Sequence, residues 1–178
     1  MSTSKVLHGH VELHGGKYQI PRKPTVVVCV DGFDLTYFET GCKDSILPNL
    51  ISFVKSGFYA TAKFATRSLT NRNNVSIITG ISTAGHGIVG NFYLEKKTLE
   101  EHMIHDHSLL RGSTILERIA NKGVRIAAIK AKDGLRKIIN HGLLSSKGAI
   151  CFPAQHANNT TEAEHGISDV DMAWPSRI

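Results

Sequence analysis

Cysteine is scarce in this chain, with three among 178 residues, Cys29, Cys42 and Cys151, and no Cys-x-x-Cys pair. That excludes a disulfide framework and a thiolate zinc spacing, and it makes a reduced, cytoplasmic setting the default expectation. Long apolar runs are lacking as well. The longest candidate, "TVVVCV" at 25–30, has strand length, far short of the ~20 residues a membrane helix needs. No membrane span is expected. Nor is a secretory signal, since no basic stretch leads into an apolar one with a cleavage site. Aromatic residues are sparse, 7% with a single Trp, and the basic residues are scattered rather than interleaved with them. That pattern argues against a nucleic-acid partner. His-Glu-x-x-His and Cys-His zinc patterns are absent too.

What is present is the composition of a soluble globular protein, 41% hydrophobic and 20% charged, in a length that suits one domain with a real core. The formal charge of +6 has two readings. One is a solvated basic surface; the other is attraction for a small anion.

Residues 1–24 are polar, with alternation in "HVELH" and "KYQI" that would suit an edge hairpin, and Pro24 ends this lead-in. "TVVVCVDG" is a continuous β-branched run halted by Asp-Gly, the pattern of a strand buried on both faces. "LPNLISFVKSG" suits a short helix with Leu50, Phe53 and Val54 on one side and Gly57 as its stop. "FYATAKFA" alternates like a strand. The second half of "SLTNRNNVSIITG" suits a helix, and the Gly-rich "STAGHGIVGNFYL" a structured loop. A helix capped at Ser113, with Glu117 behind it, is expected to stop at Gly123. "VRIAAIK" predicts a strand, "DGLRKIINHG" a helix and "GAICF" a strand, with a short helix capped near Thr160 beyond. Strands alternating with helices predict an α/β fold built on a mostly parallel sheet flanked by helices.

In such a sheet, ligands sit beyond the carboxyl ends of the strands. Asp31 ends the first predicted strand, Lys130 ends "VRIAAIK" with Lys132 two residues on, and Thr70 opens a predicted helix. If the strand continued, period-2 geometry would aim Lys130 and Lys132 to one side. Each residue has a plain structural role open to it: Asp31-Gly32 as a turn pair, the lysines as solvated charges, Thr70 as a helix N-cap. The chemical role of Thr70 would be that of a nucleophile. Its hydroxyl needs a metal or a base for activation, and a helix N-terminus suits a phosphoryl oxygen. Asp31 is a hard anionic metal ligand, Asn91 in "VGNFY" offers an amide to a phosphoryl oxygen, and two lysines suit a carboxylate. His102, His105 and His107 lie in a polar segment that suits a surface loop. His8, His10 and His14 alternate on the lead-in, and His86 either structures the Gly-rich loop or lines the site.

"VVVCVDGFD", "LPNLISFVKSG", "SLTNRNNVSIITG", "GHGIVGNFY" and "KAKDGLRKII", in this order, resemble the amino-terminal part of the phosphonoacetate hydrolase family, in the alkaline phosphatase superfamily of dinuclear-zinc hydrolases. The similarity runs from about Thr25 to the end and is strongest between Asp31 and Lys132. It implies an alkaline-phosphatase-like core over 25–178, partial because the family's later Asp and His metal-ligand motifs have no match. His165, Asp169 and Asp171 stand in a different setting. It also implies two zinc ions, with Asp31 and Thr70 as metal ligands and Thr70 as nucleophile. Asn91 would hold a phosphonate oxygen, and Lys130 and Lys132 the carboxylate of a small anionic phosphonate. The implied reaction is C–P hydrolysis through a phosphothreonine. A phosphodiesterase or phosphatase of the same superfamily and a non-catalytic truncated remnant are the alternatives, and a homodimer is left open.

Overall fold

The computed structural model describes residues 9–64, 66, 68–131 and 133–155. They fall into two compact units, one formed by Met1–Pro24 with Arg67–Ile178 and the other by Thr25–Thr66.

The first unit begins with an antiparallel hairpin, β1 (His10–Leu13) and β2 (Gly16–Gln19), pairing His10 with Gln19 and Leu13 with Gly16. Alternation sends Val11 and Leu13 inward, while His10 and Glu12 stay in solvent.

The second unit holds two helices, α1 (Leu35–Lys43) and α2 (Pro48–Ser56). Asp34 caps α1, its Oδ1 accepting from the Thr36 backbone N–H at 2.8 Å. That charged hydrogen bond holds the Asp34 carboxyl below the usual carboxylate range. Pro48 opens α2, where its missing N–H costs nothing, and Gly57 ends it. The two strands expected here, "TVVVCVDG" and "FYATAKFA", are not found. Their described residues run without a ladder, because a strand exists only with a pairing partner and the described residues of this unit contain no strand. On the apolar side of α2, Phe53 is 67% exposed while Val54 is half-buried.

The first unit resumes with α3 (Thr70–Thr79), a single-turn helix α4 (Thr83–His86) and the antiparallel pair β3 (Phe92–Leu94) and β4 (Glu101–Met103). Then come α5 (Ile115–Ala120), β5 (Ile126–Lys130), a 3-10 turn leading into α6 (Arg136–Ile139), and β6 (Ala149–Pro153). β5 and β6 are parallel, Ile126 facing Ala149 and Lys130 facing Pro153, with α6 in the crossover. The cap of α5 is Thr114, one residue beyond the expected Ser113: its hydroxyl accepts from the Glu117 N–H at 3.1 Å. Ser113 instead donates its hydroxyl to the Glu117 carboxylate, so both residues serve the same helix start.

The core of this unit gathers Val75 from α3, Ile88, Ile104, Ala120 from α5, Leu135, Ile138 and Ile139 around α6, Leu143, and Ala149 and Cys151 from β6. Helices on strands, with a parallel crossover, make this an α/β protein. Its described strands form three two-stranded pairs, two of them antiparallel. Among the described residues no helix is long and apolar enough to cross a membrane.

Candidate functional site

Helix α3 carries the polar half of "SLTNRNNVSIITG" in its first turns, where Arg72 and Asn73 have local tasks. Asn73 donates its amide to the Ser68 hydroxyl at 2.8 Å, and its backbone N–H closes on Leu69 O at 3.1 Å. Arg72 reaches Thr83 on α4, Nη2 to Oγ1 at 3.3 Å. Val75 and Thr79 face the core, and the Thr79 hydroxyl satisfies itself on Val75 O at 2.7 Å. Gly80 ends the helix in the left-handed region, φ 70°, its N–H on Ser76 O.

Thr70 is not the N-cap. That position belongs to Leu69, whose backbone is extended (φ −130°, ψ 140°) and whose side chain accepts nothing. Thr70 is already helical, half-buried at the first position, so its hydroxyl does not serve as the helix cap. The capping role weighed for it from the sequence is therefore removed.

The loop carrying Asn91 returns beside this helix start. A Cβ placed on Gly90 would touch the Leu69 Cδ1 at 3.7 Å, so the neighbour of Asn91 lies against the neighbour of Thr70. Asn91 is half-buried, and its backbone oxygen accepts from the Ile104 N–H at 2.8 Å. Its side-chain Oδ1 is buried with no hydrogen-bond partner. A half-turn of the amide exchanges that oxygen for an NH2, the end that would donate to an anionic oxygen.

His86 ties these two segments together. It is fully buried; its Nδ1 accepts the Ile88 N–H at 3.1 Å, and its Nε2 lies 2.9 Å from the Ser76 hydroxyl oxygen on α3. A backbone N–H can only donate, so Nδ1 keeps its lone pair and Nε2 carries the hydrogen, donating to Ser76. The pair therefore cannot act as nucleophile and base, since the nitrogen facing the hydroxyl is already protonated. Burial pushes the imidazole pKa below its usual value, and the nearby Arg72 charge acts in the same direction. Of the two roles open to His86, the structure gives the structural one.

Lys130 closes β5, half-buried, at the carboxyl end of a parallel strand. The strand stops there and Ala131 bends. Lys132 itself, His8, the cap near Thr160, and His165, Asp169 and Asp171 lie outside the described residues. Asp31 belongs to the second unit, exposed, in a turn with Gly32 at φ 73°. The first unit thus juxtaposes the starts of α3 and β3, and places Lys130 at a strand end; Asp31 stands in the other unit.

His102 lies on β4 rather than in a loop, paired opposite Tyr93, while His105 and His107 are exposed beyond it. Among the described residues no group of three or more His, Cys, Asp or Glu side chains could hold a metal ion. Zinc takes about four ligands, at least about three of them from the protein. Asp31 and Thr70 would supply two, so the described residues do not fit zinc by themselves.

Residues 25–147 match the model of the type I phosphodiesterase / nucleotide pyrophosphatase family. Among solved structures, the chain is similar to a phosphonoacetate hydrolase from Sinorhizobium meliloti 1021 determined with phosphonoacetate, at 36% identity and a TM-score of 0.85. The same enzyme determined with phosphonoformate gives 36% and 0.83. Each match covers 90% of this chain and 39% of the other, so the chain spans well under half the length of the enzyme it resembles.

Proposed function

The chain belongs to the type I phosphodiesterase / nucleotide pyrophosphatase family, and from that membership we propose that it carries the nucleophile and the substrate-binding part of a phosphonoacetate-hydrolase-type enzyme. The observation that carries the reading is the approach of Gly90 to Leu69, which brings the helix start that carries Thr70 to the turn that carries Asn91, whose buried amide oxygen has no hydrogen-bond partner. In this reading the Thr70 oxygen forms a bond to phosphorus as the P–C bond breaks. The electron pair leaves on the acetate fragment, delocalised into its carboxylate, and that fragment takes up a proton from water while the proton given up by the Thr70 hydroxyl returns to water. Backbone N–H groups at the start of α3 and the Asn91 amide favour the charged phosphonate oxygens. Lys130, with Lys132, favours the carboxylate that receives the negative charge. Water then splits the phosphothreonine, giving acetate and phosphate.

Zinc belongs to the proposal as the family resemblance implies it. The described residues supply too few donors to hold it by themselves. The family match also favours a second reading, hydrolysis of a phosphate diester at the same threonine, with the lysines reading another anion.

The test is phosphate release by this chain joined to the remaining part of a phosphonoacetate hydrolase. Phosphonoacetate should be preferred over a nitrophenyl phosphodiester; the reverse preference establishes the second reading.

A further inference from the structure

The turn that carries Asn91 reaches its place by way of a buried ring. Gly87 leaves α4 in the left-handed region, φ 84°, its N–H on Thr83 O at 2.9 Å. A Cβ there would lie 2.5 Å from Leu109 O, so this exit is shaped for glycine. Ile88 follows, fully buried in the core with Val75, and its N–H donates to His86 Nδ1 at 3.1 Å. Val89 and Gly90 then lead to Asn91, whose backbone oxygen takes the Ile104 N–H at 2.8 Å. On the far side of the ring, Nε2 meets Ser76, on the helix that Thr70 opens.

This arrangement works only with a neutral ring. On protonation Nδ1 gains a hydrogen and meets the Ile88 N–H donor to donor, in a fully buried position. The Ser76 bond survives, because Nε2 carries its hydrogen in both states. The ring thus stays tied to α3 while its hold on 88–91 is lost. Arg72 from α3 and His14 from the hairpin act on the ring, and both disfavour a charge there. The Arg111 side chain lies against Gly87 beside them. We propose that His86 is a positioning residue for anion capture: its neutral ring holds the turn that carries the Asn91 amide, and its protonation releases that turn, so that uptake of a phosphonate or phosphate fails on acidification. The capture half of this statement rests on the function proposed above; the release of Asn91 does not.

The experiment follows the isotope-labelled 178-residue chain by NMR from about pH 7.5 to about pH 5. The Asn91 side-chain NH2 and the Ile88 N–H should shift along one curve with the His86 ring nitrogens, with a midpoint below 6.5. The Ala128 and Cys151 amides of β5 and β6 should hold still. His86→Asn keeps an acceptor for the Ile88 N–H and cannot titrate, so the Asn91 signal should stay at its high-pH position throughout. In the chain joined to the remaining part of a phosphonoacetate hydrolase, acidification through the His86 titration should raise KM for phosphonoacetate about tenfold more than it does in His86→Asn, the loss of one charge-assisted contact. An Asn91 signal that stays still while the ring titrates overturns the proposal, as does an Asn91 titration that His86→Asn leaves in place. So does simultaneous movement of Ala128 and Cys151, which would be unfolding of the whole chain. If His86→Asn does not fold, the comparison of Asn91 with the ring in the unaltered chain still decides. A coupled titration with a joined enzyme that hydrolyses neither phosphonoacetate nor the diester counts against the proposed function and leaves the positioning standing. An active enzyme with a still Asn91 does the reverse.

Discussion

The Ser76 hydroxyl and the His86 ring, ten residues apart, meet at 2.9 Å, and the Ile88 N–H on the other ring nitrogen fixes which of them donates. The bond joins the middle of α3 to the loop that leads to Asn91. Arg72 to Thr83 adds a second tie between the same segments, and His86 O accepts the Arg111 N–H at 2.9 Å. The helix start at Thr70 and the turn at Asn91 are thus held from behind by a buried neutral imidazole.

That tie carries a pH dependence. The folded pKa of His86 lies below its ordinary value of 6.5, so the unfolded chain binds the proton more readily. Its contribution to stability is complete above the unfolded value and is lost as pH falls through the folded one. The urea midpoint should therefore fall between about pH 7.5 and about pH 5.5. His86→Gln, which keeps a donor toward Ser76 but does not titrate, should start lower and fall less. An unchanged slope in that variant would remove His86 as the cause. Ser76→Ala leaves the Nε2–H without its acceptor and should cost about 1–3 kcal/mol in the same titration.

Gly80 terminates α3 with φ 70°, and an added Cβ there would run into the Tyr18 hydroxyl from the hairpin. Gly80→Ala combines a left-handed penalty of about 1–2 kcal/mol with displacement of Tyr18. Thermal unfolding should register at least that loss, and a neutral result would show that the helix end relaxes freely.

Thr114 is fully buried and caps α5. Thr114→Ala should cost about 1 kcal/mol, whereas Thr114→Ser, which keeps the oxygen, should recover most of the cap. Equal losses would assign the effect to the methyl group's packing.

In the completed enzyme, Thr70→Ala should lower kcat by about a thousandfold or more, as loss of a nucleophile does. Lys130→Ala should act mainly on KM, by about tenfold, because it removes one charge-assisted contact. Steady-state kinetics on phosphonoacetate separates the two, and comparable tolerance of both changes would sink the assignment.

Added zinc should elicit little hydrolysis from the 178-residue chain alone, since the two donors proposed among the described residues, Asp31 and Thr70, fall short of a zinc cage. Two tightly held zinc ions by elemental analysis, or robust zinc-dependent turnover, would overturn this expectation.

Local patterns proved readable wherever a residue's conformation is set by its immediate neighbours. Gly57 stops α2 as expected, and β5 with β6 follow from short β-branched or small apolar runs. Helix α1 was not legible, although Asp34 two residues before Thr36 is a capping signal. The shift of the α5 cap from Ser113 to Thr114 is a choice between adjacent hydroxyls that only packing makes, Thr114 being the fully buried one. Thr70 lost its capping role for a similar reason: the helix begins one residue earlier than its hydroxyl would need.

The sequence by itself determined the α/β class, the family, and the candidate residues Asp31, Thr70, Asn91, Lys130 and Lys132, because types and spacings are written in one dimension. Only the tertiary structure decided that His86 is a protonated-Nε2 strut rather than a base, since that depends on which donor faces its other nitrogen. It likewise decided that Gly90 meets Leu69, and that the valines of 25–30 stand open. A strand's composition announces that it should be buried, but burial needs a partner, and a partner is a property of the assembled chain.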